Sequence, residues 1–461
     1  MAAKKARKLL SRLIAVVIVG AIAFACLAIF RIGAPPSITI EPALPGIGKR
    51  TPVTVTVEEP GRGLGDVTVE LIQGERRKVL GGRVHEPRPF WAFWGPRATA
   101  DVIEVEAGRE TFEGLREGEA TIRVTAQRAP TWVRYPDPAV LETTLPVRLV
   151  PPSIEVMSTA VYAAQGGSEA VVYRVGETAV RDGVRAGEWW FPGYPMPAGD
   201  GRDRFALFAV PYDVGDEGLV RLVAEDDVGN ESAVAFITQF FPKPVKTDTL
   251  RVSDGFMEKV VPAILSQTPE IEDRGNLLEN YLAINGELRA ANAQVLVDLA
   301  ASSVADFLWN ERFLQMPNTQ VMSTFADRRT YLYEGRPVDE QTHLGYDLAS
   351  TQRASVPAAN DGTVVLARYF GIYGNAVVID HGYGLMSLYG HLSSIAVSEG
   401  EEVARGQSVG RSGQSGLAGG DHLHFTMLLQ GLPVNPVQWW DAHWIRDRLS
   451  AKLGPVLGFE E

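Results

Sequence analysis

With 461 residues, 45% hydrophobic and 22% charged, the chain is long enough for about three or four domains with real cores. Its formal charge of −12, from 44 basic and 56 acidic residues, argues against a nucleic-acid binder that works by releasing phosphate counterions. A single cysteine, Cys26, excludes intramolecular disulfides and thiolate zinc clusters.

The first element is a basic stub, "MAAKKARKLLSRL", running into an uncharged stretch of 18 residues from Leu13 to Phe30 and closed by Arg31. At the rise of an α-helix such a stretch covers roughly 27 Å, close to the hydrocarbon thickness of a bilayer. Residues 1–31 therefore read as a cytoplasmic stub and a single transmembrane anchor in the inner membrane. Positive charge ahead of the span sends everything after Arg31 to the extracytoplasmic, periplasmic side. A cleaved signal peptide is the rival, with "AFA" at residues 23–25 as the cleavage site, but the apolar run continues past it and a retained anchor is favoured. Lipidation of Cys26 is not expected, because Ala23 is a poor match three places before it.

"PPSITI" from Pro35 and "PPSIEV" from Pro151 open two related modules, 35–150 and 151–244. Each alternates apolar and polar residues, as in "TPVTVTVEE", where Val53, Val55 and Val57 share a face, with Gly, Pro and Asp as punctuation. Two immunoglobulin-like β-sandwiches are the simplest expectation. "AEDDVGNES" resembles a turn common in bacterial immunoglobulin-like domains, and the aromatic run "PRPFWAFWGP" at 87–96 reads as core rather than ligand surface.

Residues 250–312 change period. Leu277, Tyr281, Ile284, Leu288, Ala291 and Val295 step by four and three, one helical stripe, and Pro262 with "QTPEIEDRGN" divides a shorter helix from a longer one. This helical connector is expected to pack within the chain. Period two returns in 313–444, a β-rich domain, and 445–461 reads as a short tail without chemistry. The predicted class is mainly β and multidomain, behind one N-terminal helix.

The chemistry concentrates in the last β domain, where five of the seven histidines fall between His343 and His424. "THLGYDL" spaces His343 and Asp347 by four, and "DHLHF" spaces His422 and His424 by two. Side chains alternate across a strand, so His422, His424 and Thr426 share one face, turned to a cleft, while Leu423, Phe425 and Met427 turn to the core. Imidazoles and a carboxylate suit zinc, which at catalytic sites takes three protein ligands and leaves one position open. His343, Asp347 and one histidine of the doublet make such a set. His85, His381 and His443 lack partners at ligand spacing and read as structural.

These pieces, with "GNAVVIDHGYGLMSLYGHL" and "GEEVARGQSVGRSGQSG", make the run from about Phe325 to Gln438 similar to the lysostaphin-type (LytM-like) zinc metallopeptidases, which cut peptide bonds in bacterial peptidoglycan. The resemblance covers roughly a quarter of the chain. It implies zinc held by His343, Asp347 and His424. It also implies two non-ligand histidines, His391 and His422, flanking the scissile carbonyl, one as general base and the other as oxyanion donor or acid, the order left open. Asn375 is implied at the substrate groove. Two departures stand out: Asp421 precedes the doublet, as an orienter of an imidazole or as a turn cap, and Ala326 stands where the family more often has glycine.

The expected function is that of a membrane-anchored zinc endopeptidase hydrolysing stem peptides or cross-bridges of peptidoglycan. Its sandwiches and helices would act as a stalk, its connector would cover the groove, and an envelope protein would regulate it. The rivals are a non-catalytic scaffold or activator of a murein amidase, and a zinc peptidase acting on an envelope protein.

Overall fold

The computed structural model describes residues 2–30, 33–86, 96–130, 135–197 and 200–460. The aromatic run expected in the first module lies outside the described residues from Pro87 to Gly95. Helix α1 spans Ala2–Phe30, and its segment Lys4–Cys26 is long and apolar enough to cross a membrane, which fits an anchor and a signal sequence alike. The chain forms two compact units, residues 1–152 with 225–231, and residues 153–224 with 232–461.

In the first unit, Ser37–Pro42, Thr51–Glu58 and Ala100–Ala107 form a three-stranded sheet, and Leu64–Gln73, Arg76–Arg83, Gly118–Arg128 and Ala139–Val147 a four-stranded one. The alternation seen in the sequence is the alternation of burial. Val53, Val55 and Val57 from one sheet meet Val67, Leu71, Ile122 and Val124 from the other in a single core.

The second unit holds the chemistry. Its C-terminal part contains an eight-stranded antiparallel sheet. The strands that matter here are β1 (Thr247–Val252), β2 (Gln320–Ser323), β3 (Asp327–Tyr333), β4 (Arg336–His343), β5 (Tyr346–Ala349), β6 (Gly362–Tyr369), β7 (Asn375–Asp380), β8 (Leu385–Leu392), β9 (Glu402–Val403), β10 (Leu423–Leu429) and β11 (Leu432–Val434). The large sheet runs β2-β5-β10-β8-β7-β6-β9 with β11 paired to β10, and a smaller sheet runs β1-β3-β4. Strand β8 is buried along its whole length because both faces of the sheet are covered. One face, with Tyr389, Phe425 and Met427, joins a core that reaches Phe313 and Trp439 and continues to Tyr173, Phe205 and Phe208. The second module and the C-terminal sheet thus share one hydrophobic interior.

The other face is covered by the helical segment, made of α2 (Asp254–Leu265), α3 (Leu277–Ala283), a π-helical turn (Ile284–Leu288) and α4 (Arg289–Ala300). Leu296 and Ala300 of α4 pack on Val378, Met386, Leu388 and Leu428. Two sequence expectations shift here. Pro262 does not divide the helices, because it lies inside α2, near its end, where few backbone bonds remain to be lost, and the break falls after Leu265. The stripe also changes phase: Leu288 is followed on the buried face by Asn292, Leu296 and Ala300, while Ala291 is exposed. The π turn inserts one extra residue, and that rotates everything after it.

The tail is no appendage either. Ala442–Trp444, a π-helical Ile445–Ser450 and Ala451–Leu453 form a continuous helical run whose Ile445, Leu449 and Leu453 are fully buried, with Leu457 beyond it at 1% exposure. On the same run Lys452 Nζ reaches Glu169 Oε1 at 2.9 Å, an ion pair whose carboxylate is 1% exposed.

Candidate metal centre

Three ladders bring the donors together. Asp327 of β3 pairs with His343 at the end of β4, Asp347 of β5 lies directly opposite His424 of β10, and His424 in turn lies opposite Gly390 of β8. The tight turn between His343 and Asp347 passes under His424. A methyl on Gly345 would come 2.7 Å from His424 Nε2 and 2.6 Å from Thr426 Oγ1, so no larger residue fits in "HLGYD". The alternation of the doublet strand holds as well, with Leu423, Phe425 and Met427 in the core and His424 on the cavity side.

One donor atom from each of His343, Asp347 and His424 lies within 4.8 Å of the other two. Asp347 Oδ1 is 3.0 Å from His343 Nε2 and 2.9 Å from His424 Nδ1, and the two nitrogens are 3.2 Å apart. The outer partners fix the tautomers. His343 Nδ1 donates to the carbonyl of Thr324 at 3.0 Å, and Thr426 Oγ1, which donates to Leu344 O, stands 3.0 Å from His424 Nε2 as acceptor. The inward nitrogens are therefore lone pairs, and two lone pairs and a carboxylate oxygen face one another. Three acceptors at such distances repel unless a cation lies among them, so the donor set fits a divalent metal.

His391 and His422 stand beside this trio, their ring centroids 4.9 Å apart. Each spends Nδ1–H on a backbone carbonyl, Ser415 O at 2.8 Å and Gly420 O at 2.9 Å, which leaves Nε2 of His391 as its available nitrogen and sets Nε2 of His422 3.5 Å from Asp347 Oδ1. His391 has φ of +63°, a left-handed conformation costly for a side-chain-bearing residue and typical of functional sites. Burial drives the His391 imidazole well below its usual pKa, and nearby His422 and His424 add to this. Burial also pushes His424 down to about 4, against the pull of Asp347. His422 is raised, because the Asp347 carboxylate outweighs its burial. Burial works against the Asp347 carboxylate too, but His343, His422 and His424 together hold it well below the ordinary range.

The remaining expectations fall differently. Asn375 does not line the cavity: its Nδ2 donates to Leu392 O at 3.2 Å and its N–H to Ser415 Oγ at 2.9 Å, so it ties down the loop that pins His391. Asp421 accepts from Ser412 Oγ at 2.6 Å and from Arg353 N–H at 3.1 Å, bracing a loop rather than orienting an imidazole. Ala326 has φ of +63°, the strain that a glycine would relieve. Sequence reasoning missed Arg329, whose Nη2 donates to Asp347 Oδ2 at 3.1 Å. Two arginines stand in "ADRRTY", and only the ladder decides that Arg329 shares the inner face with Tyr331 while Arg328 turns out to Glu340. His85 pairs with Asp101 at 2.9 Å, and His381 is buried between Asp361 O and Ser387 Oγ, both away from the cavity.

The donors open on a cavity of about 410 Å³, walled on its far side by Leu250, Val252, Phe256, Tyr281 and Arg289. An antiparallel β domain with a carboxylate and two tautomer-locked imidazoles at one point, and two further imidazoles beside them, defines a metal-dependent hydrolase type of site. Residues 341–436 match Peptidase family M23, and the C-terminal part of this chain is an M23 domain, a family of zinc metallopeptidases.

Among curated proteins, the peptidoglycan DD-endopeptidase ShyA of Vibrio cholerae is 33% identical over 174 residues, 37% of this chain and 37% of ShyA. The murein hydrolase activator EnvC of Escherichia coli is 41% identical over 95 residues, 21% of this chain and 23% of EnvC. The matched region thus spans well under half the length of these relatives. Among solved structures, the catalytic domain of lysostaphin from Staphylococcus simulans is matched at 21% identity and a TM-score of 0.21, covering 31% of this chain and 96% of that domain.

Proposed function

We propose that this protein is a zinc metalloendopeptidase that hydrolyses peptide bonds in the stem peptides or cross-bridges of peptidoglycan, held at the cell membrane by α1 with the M23 domain on the extracytoplasmic side. The observation that carries this reading is the trio of facing acceptors, His343 Nε2, Asp347 Oδ1 and His424 Nδ1. These residues would hold the metal. Zinc there would supply a water with pKa near about 7 and polarise the substrate carbonyl. His391 and His422 offer Nε2 on the same side, so one can take a proton while the other donates to the developing oxyanion or the leaving amine. Arg329 fixes the Asp347 carboxylate from its second oxygen. Peptidoglycan is the expected partner, and a regulatory envelope protein a further one.

The second reading, a non-catalytic activator, is favoured by the likeness to EnvC. Against it stand the intact trio and both flanking histidines, which an activator does not need. Mass spectrometry of muropeptides released from sacculi, with and without a chelator, separates the two. Chelator-sensitive release of peptide-cleaved fragments, lost in Asp347→Ala, is expected. A protein that binds no stoichiometric metal and releases nothing would end the enzyme reading.

A further inference from the structure

The cavity above the trio is positive. Of the side chains that line it, Arg251, Arg289 and Arg329 carry guanidinium groups, and Asp347 carries the one carboxylate. Arg329 is committed through Nη2 to Asp347, but its Nε is buried without a hydrogen-bond partner. Arg329 therefore adds positive charge to the wall of the cavity while its Nε stays out of reach of anything in it.

Arg289 is built in a different way. It follows directly on the π-helical turn Ile284–Leu288, a feature that weakens a helix and concentrates at functional sites. Asn285 of that turn, with 0% exposure, grips it twice: its backbone oxygen accepts from Arg289 Nε at 3.0 Å and its Oδ1 from Nη2 at 2.6 Å. Asn285 Nδ2 donates to Asp339 Oδ2 at 2.6 Å, which fixes the amide with its oxygen toward the guanidinium. Arg289 Nη1 then carries no hydrogen bond among the described residues. A guanidinium held from behind and free in front is prepared for a planar anion.

The wall that carries Arg289 is no loose cover. Tyr281, Ile284 and Leu288 share a core with Tyr331 and Ile372, β1 pairs in parallel with β3 from Thr247 to Val252, and Asn292 Oδ1 accepts the Ile372 N–H at 3.1 Å. The helical segment is part of the domain that holds the trio.

We infer that Arg289 is a carboxylate clamp that reads a free carboxylate on a residue flanking the scissile peptide bond, with Arg329 adding positive charge to the same cavity. This rests on the peptidase reading above and makes the helical segment half of the substrate site. Stem peptides offer such groups, because their amide bonds lie beside carboxylates that no other bond consumes. Arg289 is then a specificity-determining residue.

The test is calorimetric titration of the full-length protein in detergent, stripped of metal by a chelator so that neither ligand is cut, with two synthetic cross-linked stem peptides, identical except that the carboxylates flanking the cross-link amide are free in one and amidated in the other. The free acid is expected to bind at least about 10-fold more tightly, as one charge-assisted bidentate contact implies. Arg289→Gln should bring the ratio to within about 2-fold, and Arg289→Lys, which keeps the charge but not the fork, should fall between. Arg368→Gln, an exposed arginine paired with Glu399, should leave the ratio as it was. Equal binding of the two peptides by the unaltered protein, no binding of either, or an unchanged ratio in Arg289→Gln overturns the clamp. Because binding and not turnover is read, failure of parallel metal-dependent cleavage would sink the peptidase reading separately.

Discussion

His381 is a buried histidine with no part in the site, and its surroundings make a pH sensor of the fold. Its ring is completely buried, Nδ1 donating to Asp361 O at 2.6 Å and Nε2 meeting Ser387 Oγ at 2.8 Å, with Tyr389 Oη 2.9 Å further on. Burial drives its pKa from 6.5 to about 4, with Asp361 pulling weakly the other way. The unfolded chain takes up its proton near 6.5 and the folded chain only near 4, so between them the unfolded state binds more protons and stability falls as pH falls. Above the upper value and below the lower one this group adds no slope. The loss across the window is about 3 kcal/mol. Thermal melts from pH 7.5 to 4 should show a shallower slope in His381→Gln than in the parent, the depressed His391 and His424 keeping their own share; an unchanged slope would assign the effect elsewhere. The doublet was legible as chemistry because it rests on strand alternation, and the spacing of His343 with Asp347 because one short turn carries both donors. The roles of Arg329 and Gly345 were not, because they depend on which side of a ladder a residue falls and on a contact made across 79 residues, from Gly345 to His424.

Helices in this protein are read from sequence less well than strands, and the cause is the same at two places. A stripe that steps by 3.6 is visible, but the π turns at Ile284–Leu288 and Ile445–Ser450 each add a residue, after which the apolar pattern slips out of phase. The C-terminal run hides in this way: Ile445, Leu449, Leu453 and Leu457 step by four, and with a widened turn among them the first three share a face. The run also supplies two cations to Glu169, Lys452 and, 3.5 Å from Oε2, Arg448, and the carboxyl is raised by burial against their pull. Removing Lys452 leaves the buried carboxylate to Arg448 alone, so Lys452→Ala should cost about 3 kcal/mol in chemical denaturation. Adding Glu169→Gln should recover part of it; a cost under about 1 kcal/mol for the single change would mean that the pair is not held in the folded state.

At the scale of the whole chain, composition and alternation were enough to read a mostly β protein behind one apolar helix. They could not reveal that the interior of the second module continues into the last sheet through Phe205, Phe313 and Trp439, since contacts between distant segments leave no periodic trace. The proposed anchoring by α1 makes a direct prediction. Cell fractionation should find the protein in the membrane pellet, extractable by detergent and not by salt, with its N-terminal sequence intact; a soluble form beginning after Ala25 would identify a signal peptide instead.

Asp347 and His424 sit opposite each other in one antiparallel ladder, and the same pairing that buries Leu348, Leu423 and Phe425 turns the two polar side chains toward each other. A slip of one residue would send the imidazole and the carboxylate into the interior and the leucines out. No misregistered or half-assembled form of this sheet can therefore gather the three donors at one point. Completing the fold and completing the metal centre are a single event for this chain.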